Sequence, residues 1–296
     1  MSATSDRSVW LGTLALIAGA SCIALAPIMV KLSPLGPQAS AFWRLIFALP
    51  MLAMWAAWEH KQRRDALPFP WLLLALAGFL FAGDLATWHA GIVRTSAANA
   101  TFLSNLTPIV VVAVAWLTTR AVPKPAYWIA VAVALIGSLL LSGGAPGTDH
   151  EKHLGDGLSV LTSVWYGLYL LAVTRMRTDF GAGTIIFGSS IVAAFLCLVV
   201  TLIAGEPLFP ATNGETWLSV WWPLIVLGLV AQVGGQGLLA VGFGLVPTHI
   251  ASVLILWQPV LVGLLGWLIL GEALAPIQLA GGALVLVGVW LAKRAG

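Results

Sequence analysis

The run Gly83-Asp84-Leu85-Ala86-Thr87-Trp88-His89-Ala90-Gly91 has a counterpart 151 residues later, Gly234-Gly235-Gln236-Gly237-Leu238-Leu239-Ala240-Val241-Gly242. The register joining them extends without a gap over Gly83–Leu139 and Gly234–Trp290. Within it Pro108 falls on Pro259, Trp116 on Trp267, Pro125 on Pro276 and Gly137 on Gly288, in addition to the glycine pairs that bound the quoted run. Matches among Ala, Leu and Val carry no weight in so apolar a chain. Gly, Pro and Trp coincide rarely by chance, so the register reads as an internal repeat.

The composition says what kind of repeat it is. Of 296 residues, 60% are apolar and 8% charged, against roughly 25% charged in a soluble domain. Such a chain has lipid as its main solvent. A spanning helix takes about 20 apolar residues, and ten runs approach that length: 9–31, 38–58, 70–93, 97–118, 125–142, 157–174, 184–204, 219–243, 248–270 and 275–292. Each half of the chain, 9–142 and 157–292, holds five of them, joined by an outer linker, 143–156. An odd number of spans inverts the second half relative to the first. The fold class expected is an all-α membrane protein of ten transmembrane helices, arranged as two inverted five-helix repeats around a central cavity. Such repeats suit alternating access at a site between the halves.

Basic residues orient the chain. With both termini cytoplasmic, the inner segments hold Arg7, Lys61, Arg63, Arg64, Arg120, Lys124, Arg175, Arg177, Lys293 and Arg294, and the outer ones only Lys31, Arg94 and Lys152. The first apolar run is longer than a signal-peptide core and lacks a cleavage site, so it is expected to stay as the first helix. Trp10, Trp55, Trp58, Trp71, Trp128, Trp217, Trp221, Trp222 and Trp290 fall near span ends and read as an interfacial belt. Cys22 and Cys197 lie in apolar runs and read as inert thiols.

Charge at membrane depth is costly and marks function by default. Two such groups stand well inside spans, Arg44 and Asp84. Counted from the outer ends of their spans they lie ~9 and ~14 Å deep, within reach of one another, and the two are expected to be coupled. Trp88 shares a helical face with Asp84. The repeat sets Asp84 opposite Gly235, between Gln232 and Gln236. Pro108 and Pro259 interrupt two spans at matching places, behind Asn105 in one and Trp257 and Gln258 in the other; each frees a carbonyl and bends its helix. Trp165, Tyr166 and Tyr169 recur at helical spacing in the sixth run. Aromatic groups at that depth suit a substrate with an apolar part and an amino group, and Arg44 suits its carboxylate. The cavity-lining set expected is therefore Arg44, Asp84, Trp88, Asn105, Trp165, Tyr166, Tyr169, Gln232, Gln236, Trp257 and Gln258, with Pro108 and Pro259 as kinks, and the substrate a zwitterion.

The sequence Leu270-Gly271-Glu272, followed by Pro276, Gln278, Gly281-Gly282 and Gly288, resembles the last loop and final helix of the EamA-type branch of the drug/metabolite transporter superfamily. Arg44 in Ala41-Phe42-Trp43-Arg44-Leu45 and the Ala-rich stretch Thr95–Thr101 leading to Pro108 fit the same family's first repeat. The first half departs from the pattern, with Thr119-Arg120-Ala121 where the second has Leu270-Gly271-Glu272; Glu272 itself reads as a helix-start charge. The resemblance implies a ten-helix secondary transporter of the bacterial inner membrane, similar to the bacterial exporters of amino acids, aromatic ones included.

Other functions fit less well. No HExxH, GxSxG or Cys-His metal spacing supports an intramembrane enzyme, and no metal or cofactor is required. Charge rings or a filter segment, as a channel would need, are missing. A nucleotide-sugar or sugar-phosphate carrier is the nearest alternative, but phosphate calls for more than one deep cation. Basic residues are too scattered for nucleic acid. The partners expected are a small-molecule substrate and the bilayer, and the sequence leaves the oligomeric state open, a monomer included.

Overall fold

In hydrocarbon every backbone polar group must be satisfied within the protein, and a single apolar segment achieves this as a helix. The computed structural model describes residues 6–62, 70–95, 97–120, 124–141, 150–211, 216–271 and 275–295, which are helical with short connections and contain no strand. Seven helices are long and apolar enough to cross a membrane: α1 (Ser8–Leu32), α2 (Pro37–Lys61), α3 (Trp71–Ile92), α6 (Glu151–Met176), α7 (Ala182–Ile203), α8 (Trp217–Phe243) and α9 (Thr248–Leu270). Three shorter apolar helices complete the described set: α4 (Asn99–Val114), α5 (Pro125–Leu140) and α10 (Pro276–Leu291).

The helix boundaries differ from the sequence reading in one place. Residues 150–156, expected in the outer linker, already belong to the helix that continues to Met176. Linker residues 143–149 and the Glu272 of the last-loop motif lie outside the described residues.

α2 packs along α7, α3 lies against both α6 and α7, α1 runs along α8, α4 contacts α6, and α5 pairs with α10. The largest buried cluster joins α2, α3, α6 and α7 through Leu45, Leu52, Phe81, Tyr169 and Ile185. Small residues set the closest approach. A Cβ on Gly137 would lie 2.5 Å from the Val285 nitrogen, and one on Gly288 2.6 Å from Ala134 Cβ, so α5 and α10 meet nearly backbone to backbone. Close packing of this kind is a main source of helix association in lipid. Large apolar side chains such as Leu72, Phe195, Ile203 and Leu268 point outward, which hydrocarbon permits.

Three helices break where the sequence places proline. α1 turns at Ala24–Leu25 ahead of Pro27, α4 at Asn105–Leu106 ahead of Pro108, and α9 tightens to a 3₁₀ turn over Ile255–Trp257 ahead of Pro259. Proline lacks the N–H that would continue the ladder and clashes with the carbonyl one turn back; it is well placed at the start of the next helical segment. α8 instead widens to a π-helix over Leu227–Gln236, a geometry that gathers at functional positions. Trp10, Trp58, Trp71 and Trp290 are exposed, but Trp221 is buried, with its ring 4.7 Å from that of Trp43.

Candidate functional site

The breaks and the π-helix surround a cavity lined mainly by polar side chains. Its wall consists of Ile23 from α1, Arg44 from α2, Asp84 and Trp88 from α3, Ser104 and Asn105 from α4, Thr162 and Tyr166 from α6, Gln236 from α8 and Gln258 from α9. Seven helices thus converge on one space. Ile23 is its only purely aliphatic member.

Arg44 is almost fully buried, and its Nε donates to Gln232 Oε1 at 3.1 Å. The Gln232 amide is held in turn by donation from its Nε2 to Ser190 Oγ at 3.1 Å. This chain links α2, α8 and α7 and leaves the rest of the guanidinium facing the cavity. The ring of Phe81 lies 6.0 Å from Cζ. Asp84, also buried, presents its carboxylate to the same cavity with no hydrogen bond among the described residues. No ion pair within 4.0 Å joins it to Arg44. Gln232, distant in sequence, is the hydrogen-bond partner at Nε, and Arg44 and Asp84 interact electrostatically across a shared space without closing into an ion pair.

Of the eleven residues expected from sequence, seven line the cavity: Arg44, Asp84, Trp88, Asn105, Tyr166, Gln236 and Gln258. Tyr166 Oη approaches Gln236 Oε1 at 3.5 Å, which ties α6 loosely to the π-helix. Four do not line it. Gln232 stands behind Arg44. Tyr169 stacks on Phe81 at 4.7 Å and is buried in the α3–α6 interface. Trp165 lies over Gly83, where a Cβ would come within 2.7 Å of its ring, and meets Phe79 edge-on. Trp257 donates from Nε1 to Ser21 Oγ at 3.0 Å and fastens α9 to α1. These aromatics are packing groups in this conformation.

The wall also contains residues that the sequence reading missed. Ser104 and Ile23 have no distinguishing pattern around them, whereas Thr162 opens the helical spacing that continues through Trp165, Tyr166 and Tyr169. Thr162 Oγ1 donates to Leu158 O at 3.0 Å and meets Thr87 Oγ1 at 2.8 Å. His89 is a third ionisable group at depth, besides Arg44 and Asp84. It is completely buried next to Trp88, with Nδ1 2.9 Å from Ser40 Oγ. It stands three residues before the end of α3. Among the described residues no group of three His, Cys, Asp or Glu side chains is placed to hold a metal.

The chain is similar to known membrane transporters along nearly its whole length. It is 27% identical over 288 residues to the threonine/homoserine exporter RhtA of Escherichia coli K12, covering 94% of this chain and 90% of that one. It is 25% identical over 275 residues to the uncharacterized transporter YwfM of Bacillus subtilis, covering 88% and 85%. A solved crystal structure with 18% identity superposes with a TM-score of 0.76 over 97% of this chain and 96% of the other, a likeness of fold. The likeness to an amino-acid exporter agrees with the resemblance seen in the sequence. The model of the EamA-like transporter family matches twice, over residues 10–143 and 153–294. The chain therefore belongs to the EamA-like transporter family and is a helical, multi-pass membrane transporter.

Proposed function

We propose that this transporter exports amino acids by alternating access. The observation that carries the reading is a basic and an acidic side chain, Arg44 and Asp84, facing one cavity with no ion pair between them. A buried ionisable group is held in its charged form only by a partner or an ordered set of dipoles. A zwitterion completes both: its carboxylate meets the Arg44 guanidinium and its ammonium group meets the Asp84 carboxylate. The E. coli relative, an exporter of threonine and homoserine, supports both the substrate class and the direction.

In this reading the ten helices α1–α10 all span the bacterial inner membrane with both termini cytoplasmic, and the halves 9–142 and 157–292 are inverted repeats that rock about the cavity. The register of 151 residues supports it. It pairs the break before Pro108 with the break before Pro259, and it pairs Arg120 with Gly271, which cap the helical segments Thr107–Thr119 and Gln258–Leu270 in the left-handed conformation at φ 56° and 69°. A sugar-phosphate substrate fits the cavity poorly, because Asp84 would repel the phosphate that Arg44 attracts.

Purified protein in proteoliposomes tests the proposal. Labelled amino acids should cross unchanged, whereas matched amines lacking the carboxylate and acids lacking the amine should not. Arg44→Gln and Asp84→Asn should each abolish transport of the zwitterion while the protein still purifies as a folded species. Normal rates and normal response to a pH gradient in well-folded Asp84→Asn would remove Asp84 from the site. Chemical conversion of the solute, with no net flux, would favour an enzyme instead.

A further inference from the structure

The cavity holds a second set of polar groups besides Arg44 and Asp84. Asn105 is 6% exposed, lines the cavity, and has an amide nitrogen with no hydrogen-bond partner. Gln258, 8% exposed and also in the wall, makes no side-chain hydrogen bond to any described residue. Both stand at helix interruptions: Asn105 in the turn that precedes Pro108, Gln258 immediately before Pro259. α4 and α9 pack against each other, so the two amides come from one side of the bundle. Arg44 and Asp84 come from another packed pair, α2 and α3.

The neighbouring hydroxyls are already engaged. Ser104 Oγ donates to Thr101 O at 3.1 Å and Thr162 Oγ1 to Leu158 O. What remains unsatisfied is amide hydrogen-bonding capacity, which buried side chains rarely leave unused. An apolar substrate group beside Asn105 would leave its buried nitrogen unpaired.

Resting on the amino-acid reading above, we propose that Asn105 and Gln258 form the side-chain subsite. It accepts an amino acid with a short hydrogen-bonding side chain, a hydroxyl or a carboxamide, and rejects apolar side chains of the same size. Either group both donates and accepts, so it meets an amide from whichever end the amide presents. A site built around hydrogen bonds discriminates strongly against analogues that lack them, because its own polar groups are left unpaired. Of the deep aromatics, Trp88 and Tyr166 reach the wall, and a preference for aromatic side chains is the competing outcome.

Size-matched substrates supply the test in proteoliposomes: threonine against valine, and asparagine against leucine. Wild-type protein should prefer the polar member of at least one pair by on the order of tenfold or more in kcat/KM, and the preferred pair tells hydroxyl from carboxamide. In Asn105→Leu the ratio should fall toward one. Gln258→Met, which keeps length and removes the amide, should act in the same direction and serves if Asn105→Leu does not fold. Equal rates within both pairs for wild type would overturn the proposal while leaving amino-acid transport intact. So would an Asn105→Leu or Gln258→Met protein that slows every substrate equally. Absence of flux for all four zwitterions would instead remove the amino-acid reading itself.

Discussion

The α2–α7 pair is fastened at both ends by a carboxylate that caps the partner helix, and the strength of those caps is measurable. Glu206, just beyond α7, accepts hydrogen bonds at 2.9 Å from the Gln38 and Ala39 nitrogens at the start of α2. At the other end, Glu59 near the finish of α2 accepts from the Gly183 and Thr184 nitrogens at 2.9 and 3.0 Å, and from Thr184 Oγ1 at 3.1 Å. The first amides of a helix have no internal partner, and a negative charge there also meets the positive end of the helix dipole. Losing a cap costs about 0.5–2 kcal/mol, so Glu206→Ala should cost about 1–2 kcal/mol of stability and Glu59→Ala, with one more donor stranded, somewhat more. Glu206→Gln keeps an acceptor and loses the charge, a cost of about 0.3–1 kcal/mol for a partly exposed group. Gly36 and Gly181 offer an independent route to the same loss. A Cβ on Gly36 would fall on the Glu206 carboxylate, and one on Gly181 on that of Glu59. Gly36→Ala should thus evict Glu206, and combining it with Glu206→Ala should add almost nothing. The two ends lie about 37 Å apart along a 25-residue helix, so Glu206→Ala and Glu59→Ala should add fully. Thermal unfolding in detergent, monitored for single and double variants, reads all of this. Full additivity of Gly36→Ala with Glu206→Ala would refute the cap as the reason for the glycine.

Two further perturbations bear on the cavity and its orientation. Gln232→Leu removes the acceptor that holds Arg44 Nε and the donor to Ser190; binding of carboxylate-bearing substrates should weaken by about 1–3 kcal/mol, and an unchanged KM would show that Arg44 positions itself. Cysteines introduced at Thr4 and Thr148 should react oppositely with an impermeant thiol reagent in intact cells, Thr148 from outside only, and labelling of both from outside would overturn the cytoplasmic N-terminus and the inverted arrangement together.

How the site was legible follows from which property a lipid-embedded sequence records. Depth is recorded, because charge far from the interface is costly; Arg44 and Asp84 were readable on that ground and both reach the cavity. The proline pair was readable for a similar reason, since a missing N–H has the same consequence in any surroundings, and α4 and α9 break ahead of Pro108 and Pro259. The direction a side chain takes around its helix is recorded poorly. In water an apolar stripe faces inward and a polar one outward, whereas here both faces are apolar, one against protein and one against lipid. Trp88 and Trp257 therefore look alike in sequence, although one lines the cavity and the other ties α9 to Ser21.

The same ambiguity explains the Arg44 partner. Depth alone made Asp84 the natural counterion, but depth cannot tell that a π-helical turn brings Gln232 to Nε first. Small hydroxyl residues are more opaque still. Ser104 and Thr162 satisfy themselves on their own helix carbonyls, so their presence at depth costs little and signals nothing. An amide has no such local outlet as readily available. Asn105 lines the cavity and leaves its buried nitrogen unpaired, and that asymmetry between hydroxyl and amide is what makes the amide, rather than the self-satisfied hydroxyls around it, the group on which substrate choice should turn.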